Sequence, residues 1–556
     1  MRHILTVLML ATVFNAAAAT YYVDPAGDDA KDGQSEKSAW RSVGHVNATT
    51  FAPGDKILFH RGGEWREALA PNCSGAPDKP ITFDAYGAGP KPKFWGSDLL
   101  PNDKWQAESN GVFVFKGLKA QSVTQALANH GTEKGGGWFS AKPLTAPGSF
   151  EWRNGELRIN STSDPRTDGR MYAAITRQDV IHSNGKDHLV FKNLVGDECA
   201  DPANGYVIRV MGSSDVLVED CEAYRGGRHN IGVINSTGIV VRRAKTAYAM
   251  PKCEGGSTYF VTYAGGESKY ANCTCQWIDC VGDHFDDGAG GRCLYFVCHG
   301  EKQGPISFVN PIDHGGKIGF MQDNPAQTIT ITGGLIEDAD LEMFCNKAVI
   351  DGVTFTGDAS IDCYGCDNTF QNLKMLINPK GGGPTGYGSA ILMRDSAQRN
   401  VVCFNTVVMD KSAPQDKACL TLLNPTQSVE WYGNIFQSTG RAVHNWSGTL
   451  TKANVKRADY NLYNPNATFG SLKFADWKAL GFGDAHSLEG APKFVQAAGG
   501  DFALDATSPA IDAVPVKDLT IPLNDFDGTK RPIGTAADMG AFEYTPERRT
   551  AEVVKH

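Results

Sequence analysis

The 556-residue sequence has little of what helical, membrane-spanning or nucleic-acid-binding proteins need. Leu- or Ala-rich amphipathic stretches are scarce, and no heptads are evident, so there is no coiled-coil route to an oligomer and monomer is the default expectation. Beyond residues 4–14 no apolar run approaches the ~20 residues of a transmembrane helix, so no membrane span is expected. An excess of basic residues is also missing. The 53 Lys and Arg against 62 Asp and Glu leave a net charge of −9, which disfavours a general nucleic-acid binder but is compatible with a local basic groove. Paired C-x-x-C motifs are lacking too: Cys363-Tyr-Gly-Cys366 stands alone, so no zinc site is expected.

What is present is glycine, 62 residues of it, with many Asn and Asp. Those residues punctuate short strands, and all-β is the class they indicate. The start of the chain (Arg2, His3, the apolar run 4–14, then Ala16-Ala-Ala-Ala19) reads as a signal peptide over 1–19, which implies secretion to the periplasm or the extracellular space. Further on, one pattern recurs, often at about 20 to 30 residues. It appears in His188-Leu-Val-Phe-Lys-Asn-Leu-Val195, Asp215-Val-Leu-Val-Glu-Asp-Cys221, Gly238-Ile-Val-Val-Arg-Arg-Ala244, Thr328-Ile-Thr-Ile-Thr332, Lys347-Ala-Val-Ile-Asp-Gly-Val353, Asn368-Thr-Phe-Gln-Asn-Leu373, Asn400-Val-Val-Cys-Phe-Asn405 and Ser428-Val-Glu-Trp-Tyr-Gly-Asn434. Each run alternates so that one face is buried, and stacking buries what one turn cannot. The expected fold is an all-β, right-handed parallel β-helix (a solenoid), with regular coils over 179–461. An N-terminal cap and first coils (20–100) and an aromatic-rich β excursion (101–178) precede them. An irregular C-terminal cap (462–544) and a disordered tail (545–556) follow.

Tyr21-Tyr-Val-Asp-Pro-Ala-Gly-Asp-Asp29, Phe51-Ala-Pro-Gly-Asp-Lys-Ile-Leu-Phe59, Ser508-Pro-Ala-Ile-Asp512 and Asp525-Phe-Asp-Gly528 resemble segments of the secreted pectate-lyase-like β-helix superfamily. That resemblance implies fold and secretion, and polysaccharide lyases, glycoside hydrolases and uronan epimerases as functional relatives. It does not choose among them.

Three polar, glycine-spaced segments follow apolar runs: Arg225-Gly-Gly-Arg-His-Asn230, Gly282-Asp-His-Phe-Asp-Asp-Gly288 and Asn310-Pro-Ile-Asp-His-Gly-Gly-Lys317. Loops leaving equivalent strand ends emerge on one side, so these segments are expected to line a groove for a polysaccharide, with Lys252 and Lys302 beside them. Their chemistry suits a uronate. Elimination needs the sugar carboxylate neutralised, by Arg228 or by calcium on Asp283, Asp286 and Asp287. It also needs a base (His229, Lys252 or Lys302), while His284 can protonate the leaving oxygen. Tyr224, Tyr270, His314 and Lys317 are the expected substrate contacts. Calcium is the one cofactor considered, and the polysaccharide is expected to be anionic. The alternatives are a hydrolase pairing Asp286 or Asp287 with Asp313 or Glu301, and a non-catalytic binder using Tyr224, Tyr263 and Tyr270 as platforms.

Of 14 cysteines, 13 lie between Cys199 and Cys419. Cys221, Cys280 and Cys298, with Ala244, are expected to form a stacked column of small buried residues. Bridges between neighbouring coils remain an alternative.

Overall fold

The computed structural model describes residues 18–546 except 121, 124, 129–137, 200–204, 249–257, 267, 284–293, 316, 321–327, 379–387, 395, 411–416, 424–427, 446–449, 482 and 518. Apart from Ala18 and Ala19, the expected leader lies outside this set.

A coil begins with a short alternating strand such as Leu189–Lys192, whose Leu189 and Phe191 are buried while Val190 and Lys192 are partly exposed. The strand ends at a residue in the left-handed conformation, and the chain turns within two residues. This residue is Asn193, Asp220, Asp279, Asn310 and Asn372 in five of the coils, with φ between 50° and 55°. Asn and Asp adopt that conformation at low cost because their short side chains bond locally. Arg243 occupies the same place (φ 50°). Its guanidinium is tied to Asp220 (2.7 Å) and Glu219 (2.6 Å), ion pairs that offset the backbone penalty. A second strand, a second turn and a third strand complete each coil.

Repetition gives three long sheets of 14, 14 and 13 strands, in which neighbours along the coils run parallel. The fold is a right-handed parallel β-helix. All eight recurring runs fall in the first sheet, as successive or near-successive strands from Leu189–Lys192 to Val429–Tyr432. Inside, like positions stack: Ile331, Ile350, Phe370, Val402 and Trp431 follow one another in register, and each is at most 1% exposed. Each such side chain contributes roughly 1.5–3 kcal/mol by leaving water.

Buried polar ladders finish the coils. Asn434 Oδ1 accepts from the backbone N–H (3.0 Å) and Nδ2 (3.1 Å) of Asn405, and Asn461 Oδ1 does the same for Asn434 (3.0 Å each). Their amides also donate to Phe370, Val402 and Trp431 carbonyls in preceding strands.

After Lys93–Trp95 in the second sheet the chain leaves for an eight-stranded excursion over 97–175, and it rejoins the third sheet at Asp179–His182. The excursion's aromatics (Trp105, Phe113, Phe115, Phe139, Phe150 and Tyr172) form its own core. The end of the helix is covered by the short helix Phe474–Ala479, whose Phe474 and Trp477 pack on Phe469 and Tyr463. The remaining tail then runs back along the turns between first and second sheets. There Leu504, Ala510, Val514 and Met539 pack against Phe404, Tyr432 and Ile435.

No two described cysteines are bonded to each other. Cys221, Ala244 and Cys280 share the slot after the left-handed residue, and all are buried. Cys298 does not belong to that column. It lies within the third-sheet strand Leu294–His299, in register with Thr262, because the run containing it is a full strand and not the end of one.

A charge ladder crosses the outer face of the first sheet, with Lys192, Glu219 and Arg242 in consecutive coils. Burial would raise the Glu219 carboxyl from 4.5, but hydrogen bonds from Lys192, Arg243 and Arg242 outweigh it and hold the group at about 2. A depressed carboxylate stabilises fully above its ordinary value and loses that contribution as pH falls through the folded one. Glu219→Gln is therefore expected to lower the melting temperature at pH 7 and to flatten its decline between about pH 4.5 and about pH 2. Calorimetric melts of both proteins across that window check this. Parallel curves would refute it.

Candidate functional site

The corner where second-sheet strands hand over to third-sheet strands carries most of the described polar residues singled out above. In one coil Glu222–Tyr224 ends the second sheet, Arg225 takes a left-handed conformation (φ 50°), and His229–Ile234 opens the third sheet. The turn is tight: a Cβ on Gly226 would lie 2.5 Å from the His229 carbonyl oxygen, so only glycine fits. Its N–H donates to Asn230 Oδ1 at 2.8 Å. His229 is buried, with its ring stacked on Tyr206 at 4.8 Å. Burial pushes the Tyr206 hydroxyl up to about 12, opposed by the nearby Arg209 and Arg228 charges.

Beneath this corner Arg225 is bound to Asp197, with Glu198 at 3.6 Å, and Lys93 reaches Asp197 at 3.3 Å. Burial pushes the Asp197 carboxyl up, against the pull of Arg225. Since Ser97 Oγ donates to Glu198 (2.5 Å), this network fastens the excursion to the coils. Tyr224 turns its hydroxyl to Glu222 (2.8 Å), itself paired with Lys91 (2.8 Å).

Along the same edge, Tyr224, Ala247, Asp283, His314 and Glu337 end successive second-sheet strands in register. Asp283 is exposed, and its backbone carbonyl accepts from Tyr259 (2.8 Å). His314 Nδ1 lies 2.9 Å from Glu337 Oε2. Lys317 opens the third-sheet strand of the His314 coil, in register with Asp340. The edge therefore brings together Tyr224, Arg228, His229, Asp283, His314 and the Lys317 backbone. Lys252, His284, Asp286 and Asp287 lie outside the described residues.

Lys302 and Tyr270 do not share this edge. Both sit in turns from the third sheet back to the first. Lys302 Nζ donates to the carbonyls of Gly266 (3.0 Å) and Ser268 (2.9 Å), and Tyr270 OH lies 3.3 Å from Asp187. The reason is that Leu294–His299 is a complete strand, so Lys302 emerges at its far end, ~20 Å from the corner at 3.3 Å per residue. Glu301 shares that turn. Asp313 faces inward, fully buried, in register with Gly282 and Ile336.

Distance divides the edge itself. His229 and Asp340 are separated by four coil steps through Thr258, Leu294 and Lys317, or ~19 Å at ~4.8 Å per step. Arg228–His229 and the Glu337 region cannot act on one bond.

The outer face of the third sheet carries residues that sequence reasoning passed over. In Asp340–Met343, Leu341 and Met343 point into the core while Asp340 and Glu342 lie on the other face, and Ser360–Cys363 repeats the pattern with Ser360 and Asp362; Asp340, Ser360 and Asp362 are buried there and Glu342 is half-buried. The two strands are parallel neighbours in which Asp340 opposes Ser360 and Glu342 opposes Asp362. Ser360 donates to Asp340. Arg394, one coil on, donates to both oxygens of Asp362 (2.6 and 2.7 Å). The available signal was acids at one phase of alternating strands, 20 residues and one coil apart. Among the described residues no group of His, Cys, Asp and Glu is arranged to hold a metal ion, and no helix is long and apolar enough to cross a membrane.

No family model matches the chain. Over 99 residues, 17% of this chain, it is 39% identical to a lacto-N-biosidase of Bifidobacterium longum subsp. longum, and the match spans 6% of that relative's length. Among solved structures, a complex of XylC with xylose superposes with a TM-score of 0.53 at 12% identity, covering 94% of this chain and 99% of that one. A structure described as a glycoside hydrolase reaches 0.43 at 10% identity, covering 88% and 99%. The likeness to XylC is one of fold, a right-handed parallel β-helix.

Proposed function

We propose that the protein is a carbohydrate-active enzyme that hydrolyses glycosidic bonds with Glu342 and Asp362. The observation that carries this reading is their direct opposition on neighbouring parallel strands, with Arg394 gripping Asp362. Glycosidases need two carboxyl groups flanking the bond, ~5–5.5 Å apart in retaining enzymes and wider in inverting ones. Side chains opposed across one strand spacing of ~4.8 Å suit the retaining case. Asp362, oriented by a fork of two charge-assisted hydrogen bonds, is assigned as nucleophile, and Glu342 as the acid that protonates the leaving oxygen and then activates water. Support for carbohydrate as substrate comes from the fold likeness to a sugar-bound XylC and from the local identity to a lacto-N-biosidase.

A second reading, elimination on a uronate, draws on Arg228 and His229 beside Tyr206. Those groups have a neutraliser and a base within one coil, and secretion with bound calcium would accompany that reading. The readings part by product. Incubating the protein with arabinoxylan, galactan, polygalacturonate and alginate is expected to release reducing ends without the ultraviolet absorbance of an unsaturated uronate. A rise in that absorbance, abolished by His229→Ala, would replace hydrolysis with elimination.

A further inference from the structure

Phe344 is the one exposed phenylalanine or tryptophan among the described residues, at 38%. It directly follows the strand Asp340–Met343 that carries Glu342, and Tyr364 holds the equivalent place after the strand of Asp362. The two rings stack at 4.3 Å with 16° between their planes. Arg394, which clamps Asp362, lies over the Tyr364 ring at 5.2 Å. An aromatic column Phe344–Tyr364 thus stands beside the carboxylate column Glu342–Asp362, one pair per coil. Its outer member is left to solvent.

We propose that Phe344, braced by Tyr364, is the stacking subsite for a sugar ring next to the cleaved bond, and that the glycan it receives is neutral. This rests on the reading of Glu342 and Asp362 as the reacting pair. Pyranose rings present an apolar face of C–H groups that packs on an aromatic surface, and the Tyr364–Arg394 contact helps to hold the platform in place. Charge selects against an acidic sugar. Asp340 and Glu342 stand on the strand that leads into the platform, and the nearby Arg394 charge is already balanced by Asp362. A uronate carboxylate seated there would face like charge within one or two strand spacings of ~4.8 Å.

The test is affinity electrophoresis of Glu342→Gln, which keeps the glycan intact, in gels containing soluble arabinoxylan, galactan, polygalacturonate or alginate. Retardation is expected in at least one neutral gel and in neither anionic gel. Adding Phe344→Ala is expected to weaken the apparent affinity about tenfold, whereas Phe344→Trp stays within about threefold. The subsite is overturned if Phe344→Ala migrates like its parent or if no gel retards the parent. Its neutral preference is overturned by equal or stronger retardation in an anionic gel. Because retardation does not depend on turnover, loss of binding in Phe344→Ala together with unsaturated products from the wild type would keep the subsite and reject hydrolysis.

Discussion

Glu342→Gln and Asp362→Asn are each expected to cut glycan turnover by on the order of 10³-fold. Glu342→Gln should leave the melting temperature within a few degrees of wild type, whereas Asp362→Asn should lower it because Arg394 loses its buried partner. Both substitutions keep side-chain shape on the outer face of the sheet, so packing of Leu341, Met343, Ile361 and Cys363 inside is untouched. What disappears is the chemistry: an amide neither donates a proton to a leaving oxygen nor attacks an anomeric carbon. Asp362→Asn also gives up its charge against Arg394, so the arginine variant is informative. Arg394→Met removes both prongs (2.6 and 2.7 Å) and is expected to lower turnover less than loss of Asp362 itself, since the carboxylate survives but is no longer oriented. Initial rates by reducing-end release, with circular dichroism melts alongside, measure this. If either carboxylate variant kept more than a tenth of wild-type turnover, the pair would not be the reacting centre.

Arg531→Met is expected to be among the most damaging single changes to stability, at about 3–5 kcal/mol. Its side chain is fully buried where the returning tail meets the coils. It pairs with Glu543 (2.7 Å), donates to the carbonyls of Asp538 (3.1 Å) and Gly540 (2.8 Å), and lies over Phe404 at 4.8 Å. Glu543 in turn accepts from the N–H groups of Asp538 (2.9 Å) and Ile533 (3.1 Å). Burial, and then repulsion from Glu543, already pushes Asp538 up to about 6. Removing the guanidinium strands this negative charge away from water, which costs more than the ion pair itself contributed. A solenoid need not unfold in one step, so the informative quantity is the first transition, release of the tail, followed by limited proteolysis against temperature. An unchanged first transition would falsify the assignment of Arg531 as the clasp. Arg531→Lys should recover only part of the loss, because an ammonium cannot reach Glu543 and two carbonyls with one planar fork.

Much of the fold was legible because its causes are local. The runs from His188-Leu-Val-Phe to Ser428-Val-Glu-Trp all proved to be first-sheet strands. That sheet is where alternation meets a two-residue turn needing a left-handed residue, so Asn, Asp or Gly returns at one phase. Third-sheet strands lack such a fixed marker, since connections of varying length lead into and out of them. Their register therefore had to be guessed, and Lys302, Tyr270 and Cys298 were misplaced with it. The same blindness hid Glu342 and Asp362, because an acid alternating with Leu or Met reads as an ordinary solvent face.

By itself the sequence determined that this chain stacks parallel strands into a solenoid, where its tight turns fall, and which side chains fill the interior, because period-two burial and turn chemistry act over a few residues. Only the tertiary structure decided which polar groups are neighbours. Side chains 20 residues apart meet or miss according to the coil register, and that register set Arg228 and His229 ~19 Å from Asp340, beside Glu342, and brought Glu342 within one strand of Asp362.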